Sequence, residues 1–125
     1  MLKRAVGWLL VWSLCGAQGV FADDLDKQPG VVRREFVFED GPVPECHAST
    51  IEHTKDGLVV AWFTGQREGT KDVSIWLSRQ QKGEWSKPVE LFQGSSDNQR
   101  VPTWNPVLFQ PSSGPLRLYY KAGPS

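Results

Sequence analysis

The loop from Thr64 to Lys71, with Asp72 behind it, concentrates the groups able to move a proton. Glu68 and Asp72 stand among Gly65 and Gly69, which lack a side chain and so let the backbone bring a carboxylate close to a ligand. A carboxylic acid that donates a proton needs a raised pKa, set by partial burial or a neighbouring anion. Asp72 is the better placed of the two, just before a strand. The alternative is a solvated loop in which Arg67 and Lys71 neutralise both acids. Arg67 divides the same way: it clamps a ligand carboxylate, or it only balances Glu68. His47, between Cys46 and Ala48 at a strand start, either serves a ligand hydroxyl or is a structural histidine. Trp104-Asn105 offers a stacking face and an amide on a backbone fixed by Pro106, and Trp104 suits packing between elements equally well. Glu45-Cys46-His47 imitates a metal set, but adjacent strand residues point to opposite faces, and zinc needs convergent ligands. Neither metal nor cofactor is expected.

The amino terminus reads as an export signal. Lys3 and Arg4 precede an apolar stretch from Ala5 to Leu14, and Val20-Phe21-Ala22 supplies the residues a signal peptidase reads. The stretch is shorter than the ~20 residues that span a bilayer, and Leu14 before Cys15 argues against a lipoprotein. Residues 1–22 are therefore expected to leave, placing the protein outside the cell or in the periplasm with no membrane attachment. Cleavage removes Lys3 and Arg4 from a chain of 14 basic and 14 acidic residues. The mature chain is then slightly acidic, which excludes a nucleic-acid partner that would demand a basic patch. Of the two cysteines, Cys15 leaves with the signal, so Cys46 cannot build a disulfide framework.

The rest is written in strands and turns. Residues 23–30 are a polar lead-in. Alternation over Val31 to Glu39 predicts a strand with Phe36 and Phe38 on one side, which Gly41-Pro42-Val43-Pro44 ends. His47 to His53 is a second strand. Leu58 to Phe63 is apolar at every position, as in a strand covered on both faces. Val73 to Ser78 alternates, and Val89 to Phe92 reads as a weaker edge strand. Trp62, Trp76 and Trp85 are assigned to the core. No stretch carries a 3.6-residue period with caps. The chain is all-β.

A shift of 57 positions lays HASTIEHTKDGLVVAWF (47–63) over WNPVLFQPSSGPLRLYY (104–120) without a gap. Gly57 falls on Gly114, Ile51 on Leu108, and Trp62-Phe63 on Tyr119-Tyr120. A repeat of this length holding four short strands fits one blade of a β-propeller. Propellers close with ~4 to 8 blades, and this chain holds fewer than two. It is expected to be a fragment of a longer protein.

PECHASTIE (44–52), GLVVAWFTGQREGTKDVSIWLSR (57–79), TWNPVLF (103–109) and LRLYYKAG (116–123) resemble the bacterial predicted neuraminidases, sialidase-like proteins built from neuraminidase repeats. The resemblance implies the opening one to two blades of a sialidase-type six-bladed β-propeller, blade 1 over about 44–100 and the start of blade 2 over about 101–125. It implies a secreted exo-acting glycoside hydrolase with sialic acid ends, or a similar glycan, as substrate. Sialidases use a tyrosine nucleophile, a glutamate that assists it, an aspartate acid/base and three arginines on the sugar carboxylate. By the resemblance the tyrosine, its glutamate and at least two arginines lie beyond Ser125.

This sequence departs from the family pattern twice. Glu45-Cys46-His47-Ala48 stands where a Phe-Arg-Ile-Pro signature would supply the first arginine. The aspartate box survives only as Ser78-Arg79-Gln80-Gln81-Lys82-Gly83-Glu84-Trp85. The missing arginine keeps a second reading open, a non-catalytic carbohydrate-binding or scaffold propeller. In propeller geometry Glu45-Cys46-His47, the Thr64 to Lys71 loop and Thr103-Trp104-Asn105 share one rim, and residues 79–84 lie at the other. An isolated blade leaves the strand at Leu58 to Phe63 half in water, at ~25 cal/mol per Å² of apolar surface. Residues 23–125 alone are therefore expected not to give a soluble monomer with a sharp, reversible melt; calorimetry that found one would overturn the incomplete-propeller reading.

Overall fold

The structure is a computed structural model that describes residues 27–41 and 44–124; the expected leader and its cleavage point lie outside them. The chain divides into one unit ending at Glu35 and another beginning at Phe36. In the first, the Val31 amide donates to the Gln28 carbonyl at 3.1 Å, and Arg33 pairs with Glu35.

The strand expected over Val31 to Glu39 does not form. Alternation alone makes no strand, because its backbone groups need a ladder to pair with. Val32 and Phe36 are 99% and 81% exposed. Phe38 is used differently, as a cover: its ring lies 5.1 Å from that of Trp62.

Among the described residues the second unit holds eight strands: β1 (Glu45–Thr54), β2 (Gly57–Gly65), β3 (Ser74–Gln81), β4 (Glu84–Trp85), β5 (Val89–Ser96), β6 (Gln99–Val101), β7 (Thr103–Phe109) and β8 (Arg117–Ala122). The first sheet runs β1-β2-β3-β5-β6 with β4 beside β3, and β7-β8 form a separate hairpin. Every pairing is antiparallel. β1, β2, β3 and β5 make a four-stranded blade, and β7-β8 repeat its first two strands. This is the all-β, partial-propeller architecture expected.

β2 is buried from Val59 to Gly65. One face, with Val59 and Ala61, joins Leu77 of β3 and Leu108 of β7, with Leu116 and Leu118 against them. Phe63, Val73, Ile75 and Trp104 extend this core toward the rim. On the other face Trp62 is covered by Phe38. Trp76 and Trp85, assigned to the core, are only half-buried. The edge strand expected at Val89 to Phe92 runs on to Ser96 and gains β6 as a neighbour. Asp97 and Asn98, at φ +50° and +60°, adopt the left-handed geometry that two-residue hairpins favour.

The internal repeat is visible in the backbone. β1 bulges between His47 and Thr50, and β7 between Trp104 and Val107. Each bulge holds one residue at positive φ, Ala48 at +48° and Asn105 at +45°, and these are 57 positions apart. The match then slips by one residue. Ile51 faces Val60 in the first hairpin, and Leu108 faces Leu118 in the second, so Val60 corresponds to Leu118 rather than to Arg117. The longer turn from Gln110 to Leu116 absorbs the extra residue. Trp62 accordingly corresponds to Tyr120, which corrects the ungapped pairing of Trp62-Phe63 with Tyr119-Tyr120.

Gly57 sits at φ +123°, and a Cβ there would meet the Gln80 carbonyl oxygen at 2.1 Å. Gly69, at φ +88°, has no atom within 4 Å of such a Cβ. Gly57→Ala is expected to destabilise the fold by about 2 kcal/mol or more, and Gly69→Ala by about 1 kcal/mol, because only the first adds a clash to the strained φ. Denaturant midpoints at unchanged slope would measure both.

Candidate functional site

The rim at the head of β1 gathers groups from three segments. Residue Glu45 opposes Gly65, the last of β2, and His47 opposes Phe63. The bulge that follows shifts the alternation by one, so His47 shares the Phe63 side with Thr50, which opposes Ala61. The imidazole lies flat on the Phe63 ring, with centroids 5.6 Å apart and planes at 9°. Its Nδ1 stands 3.8 Å from Glu68 Oε2, with both side chains about half exposed. The Glu68 amide donates to Glu45 Oε2 at 2.6 Å, which ties the loop back to the start of β1. The expected shared rim is thus present, and the hairpin at Lys82 and Gly83 closes the opposite end of β3.

Thr64 fastens the floor of this cluster. Its hydroxyl donates to the Glu45 carbonyl and lies 3.4 Å from Cys46 Sγ. Cys46 is a free thiol. Among the described residues no three His, Cys, Asp or Glu side chains converge as a metal set.

The other candidates fall into different places. Asp72 accepts the Gln66 amide at 2.7 Å, closing the loop across its base. The Thr70 hydroxyl also lies in reach and can turn its proton to Asp72 or to the Arg67 carbonyl. These contacts, Thr70 first and then the Gln66 amide, with help from the nearby Arg100 charge, hold the Asp72 carboxyl below its ordinary pKa against a smaller opposing effect of burial. An anion stabilised this way is a poor proton donor. Arg67 is exposed, and its guanidinium makes no ion pair among the described residues. Asn105 is exposed at the β7 bulge.

Trp104 is not available to stack on a ligand. It is 5% exposed, its ring meets Phe63 edge-on at 5.5 Å, and its indole N–H donates to the Gly123 carbonyl at 2.7 Å. Packing between the blade and the hairpin uses it up.

The reading of the sequence put Glu45 on this rim without its contact, and it missed Arg100. Glu45 enters the cluster through a contact 23 residues away in sequence. Arg100 reaches back 28 residues to the Asp72 carbonyl at 2.8 Å and pairs with Glu90 at 3.4 Å. Neither has a local motif; each depends on which strand ends share the rim.

The arrangement can do three things chemically. Glu68 can exchange a proton with a ligand while His47 lies alongside, Arg67 can meet an anion, and Asn105 can hydrogen-bond a hydroxyl. Comparison with known proteins finds that the family described as BNR repeat-like domain matches residues 56–125, more than half of the chain. No curated protein and no solved structure matches.

The Asp72 environment has a pH signature. A carboxyl whose folded pKa is depressed adds stability above its unfolded value of ~3.9 and loses it as pH falls through the folded value. The stability gap between the wild type and Asp72→Asn is expected to be widest above about pH 5 and to narrow steadily below about pH 4. Urea midpoints across that range would show it; a gap independent of pH would remove the loop-closing role.

Proposed function

The chain belongs to the BNR repeat-like domain family, and from that premise we propose that it is the sialidase-like part of an exported, exo-acting glycoside hydrolase. Its substrate is a glycan ending in sialic acid or a similar acidic sugar. The observation that carries the reading is the pairing of His47 with Glu68 on an open rim, with both side chains about half exposed.

Each residue then has a role. Glu68 is the acid/base group, because its carboxylate is exposed to a ligand while that of Asp72 is spent on its own loop. His47, stacked on Phe63, orients Glu68 and becomes its ion-pair partner when protonated. Arg67 meets the carboxylate of the sugar, with the fork geometry suited to it. Asn105 contacts a hydroxyl. The nucleophile that the resemblance implies comes from outside these residues.

The test is hydrolysis of a fluorogenic sialoside, beside a panel of neutral aryl glycosides, by the full-length protein. Glu68→Gln is expected to lower kcat/KM about 10²-fold or more, in the range of a lost general acid. Asp72→Asn is expected to keep most of the turnover at neutral pH. Loss of activity in Asp72→Asn with Glu68→Gln unaffected would return the acid/base role to Asp72. Glycan binding without turnover in the wild type would instead favour the carbohydrate-binding reading.

A further inference from the structure

We propose that the end of the blade away from the His47–Glu68 cluster carries a second binding groove, one for an acidic saccharide. A hollow of about 560 Å³ lies there between the turn at Lys55 and Asp56, the turn from Gln110 to Leu116, and Arg79 of β3. Sites for small ligands span ~300–1,000 Å³. Both walls belong to the seam that the core already closes, where Leu108 meets Val59 and Ala61 and the Gln110 amide donates to Glu52 Oε2 at 3.2 Å. A strand that continued the second sheet would pair along the free edge of β8, away from this seam.

The walls are braced before any ligand arrives. On one side the Thr54 hydroxyl donates to the Gly57 carbonyl at 2.8 Å and accepts the Asp56 amide at 3.2 Å. On the other, the Gln110 side-chain amide donates to the Pro111 and Gly114 carbonyls, each at 3.2 Å. Pro111 and Pro115 restrict the same turn further. The Arg79 backbone is held by Ser86, whose Oγ accepts its amide at 3.1 Å and whose own amide donates to its carbonyl at 2.8 Å. Walls ordered in advance lower the entropic cost of binding.

The groups left over select the ligand. Lys55 is occupied by Asp56 at 3.1 Å, whereas the exposed Arg79 guanidinium makes no ion pair among the described residues. Its planar fork fits a carboxylate through two parallel hydrogen bonds. Across the groove the Ser112 and Ser113 hydroxyls are exposed, and Asp56 adds acceptor oxygens beside them. One carboxylate partner surrounded by partners for hydroxyls is the complement of an acidic sugar. A peptide would look for main-chain partners, but the Gly57, Pro111 and Gly114 carbonyls already accept hydrogen bonds. Arg79 is also the second residue of the Ser78–Trp85 aspartate-box remnant, which the rim cluster leaves without a role.

The groove does not depend on the chemistry assigned to the rim, and the experiment separates the two. Hydrogen exchange is followed by mass spectrometry on the full-length protein as sialyllactose or lactose is added, in a Glu68→Gln background that spares the probe from cleavage. Sialyllactose is expected to slow exchange at Asp56 and from Ser112 to Leu116; lactose is not. Arg79→Ala, and Ser113→Glu on the facing wall, are each expected to raise the sugar concentration needed about tenfold or more, as loss or repulsion of a charge-assisted pair requires. With Glu68 restored, Arg79→Ala is expected to match the wild type in sialoside hydrolysis. Protection of the turns in a protein that hydrolyses no sialoside would support the groove while the rim reading fails. Unprotected turns, equal protection by lactose or by a triglutamate peptide, or protection that survives both substitutions would each overturn the groove, whatever the rim does.

Discussion

β2 is apolar on both faces and buried along most of its length, so the blade needs cover on both sides of the same strand. On one side the cover is the β7-β8 hairpin, which brings Leu108 and Leu118 onto Val59 and Ala61. On the other it is the ring of Phe38 against Trp62. The first cover is a folded element with its own ladder; the second is a single side chain from a segment without regular structure. That asymmetry follows from the repeat, because the hairpin is a second use of the pattern that built the blade's own first two strands.

The same constraint positions the rim. Once the hairpin is docked, the Thr103 amide donates to the Val73 carbonyl at 3.1 Å, and the Gly123 amide to the Pro102 carbonyl at 3.0 Å. These bonds fix the strand heads that frame the Gln66 to Asp72 loop. Trp104 completes the joint with its edge on Phe63 and its N–H on Gly123. Phe63 in turn is the floor on which His47 lies. The candidate site is therefore not separable from the core: the ring that supports its histidine is one of the side chains the hairpin buries.

Much of the fold was legible in the residues. The unbroken apolar run of Leu58 to Phe63 announced a strand covered on both faces, and the glycines and prolines marked the turns. The alternation at Val31 to Glu39 misled, because period two describes how a strand would orient its side chains and says nothing about a partner for its backbone. The repeat was legible to within one residue. The bulges at Ala48 and Asn105 keep the 57-residue spacing, whereas the turn before β8 takes one residue more, and only backbone pairing registers that slip. For the site, the propeller reading put Glu68, Arg67, Asp72, His47 and Asn105 on one rim, and it left open whether Trp104 faces a ligand or packs between elements. An indole beside an asparagine looks the same in sequence whether its ring is bare or buried.

What the sequence determined by itself was the all-β class, the central strand, the repeat and the loop that carries the acids, because these rest on local periodicity and on residues with restricted backbone geometry. Tertiary structure alone decided what each carboxylate faces. Asp72 and Glu68 lie in one loop and have the same chemistry, yet Asp72 faces the Gln66 amide across the loop base and Glu68 faces His47 from another strand. It also joined the Glu68 amide to the Glu45 carboxylate and Arg100 to the Asp72 carbonyl, across 23 and 28 residues. Long-range strand register sets those contacts, and no local pattern encodes it.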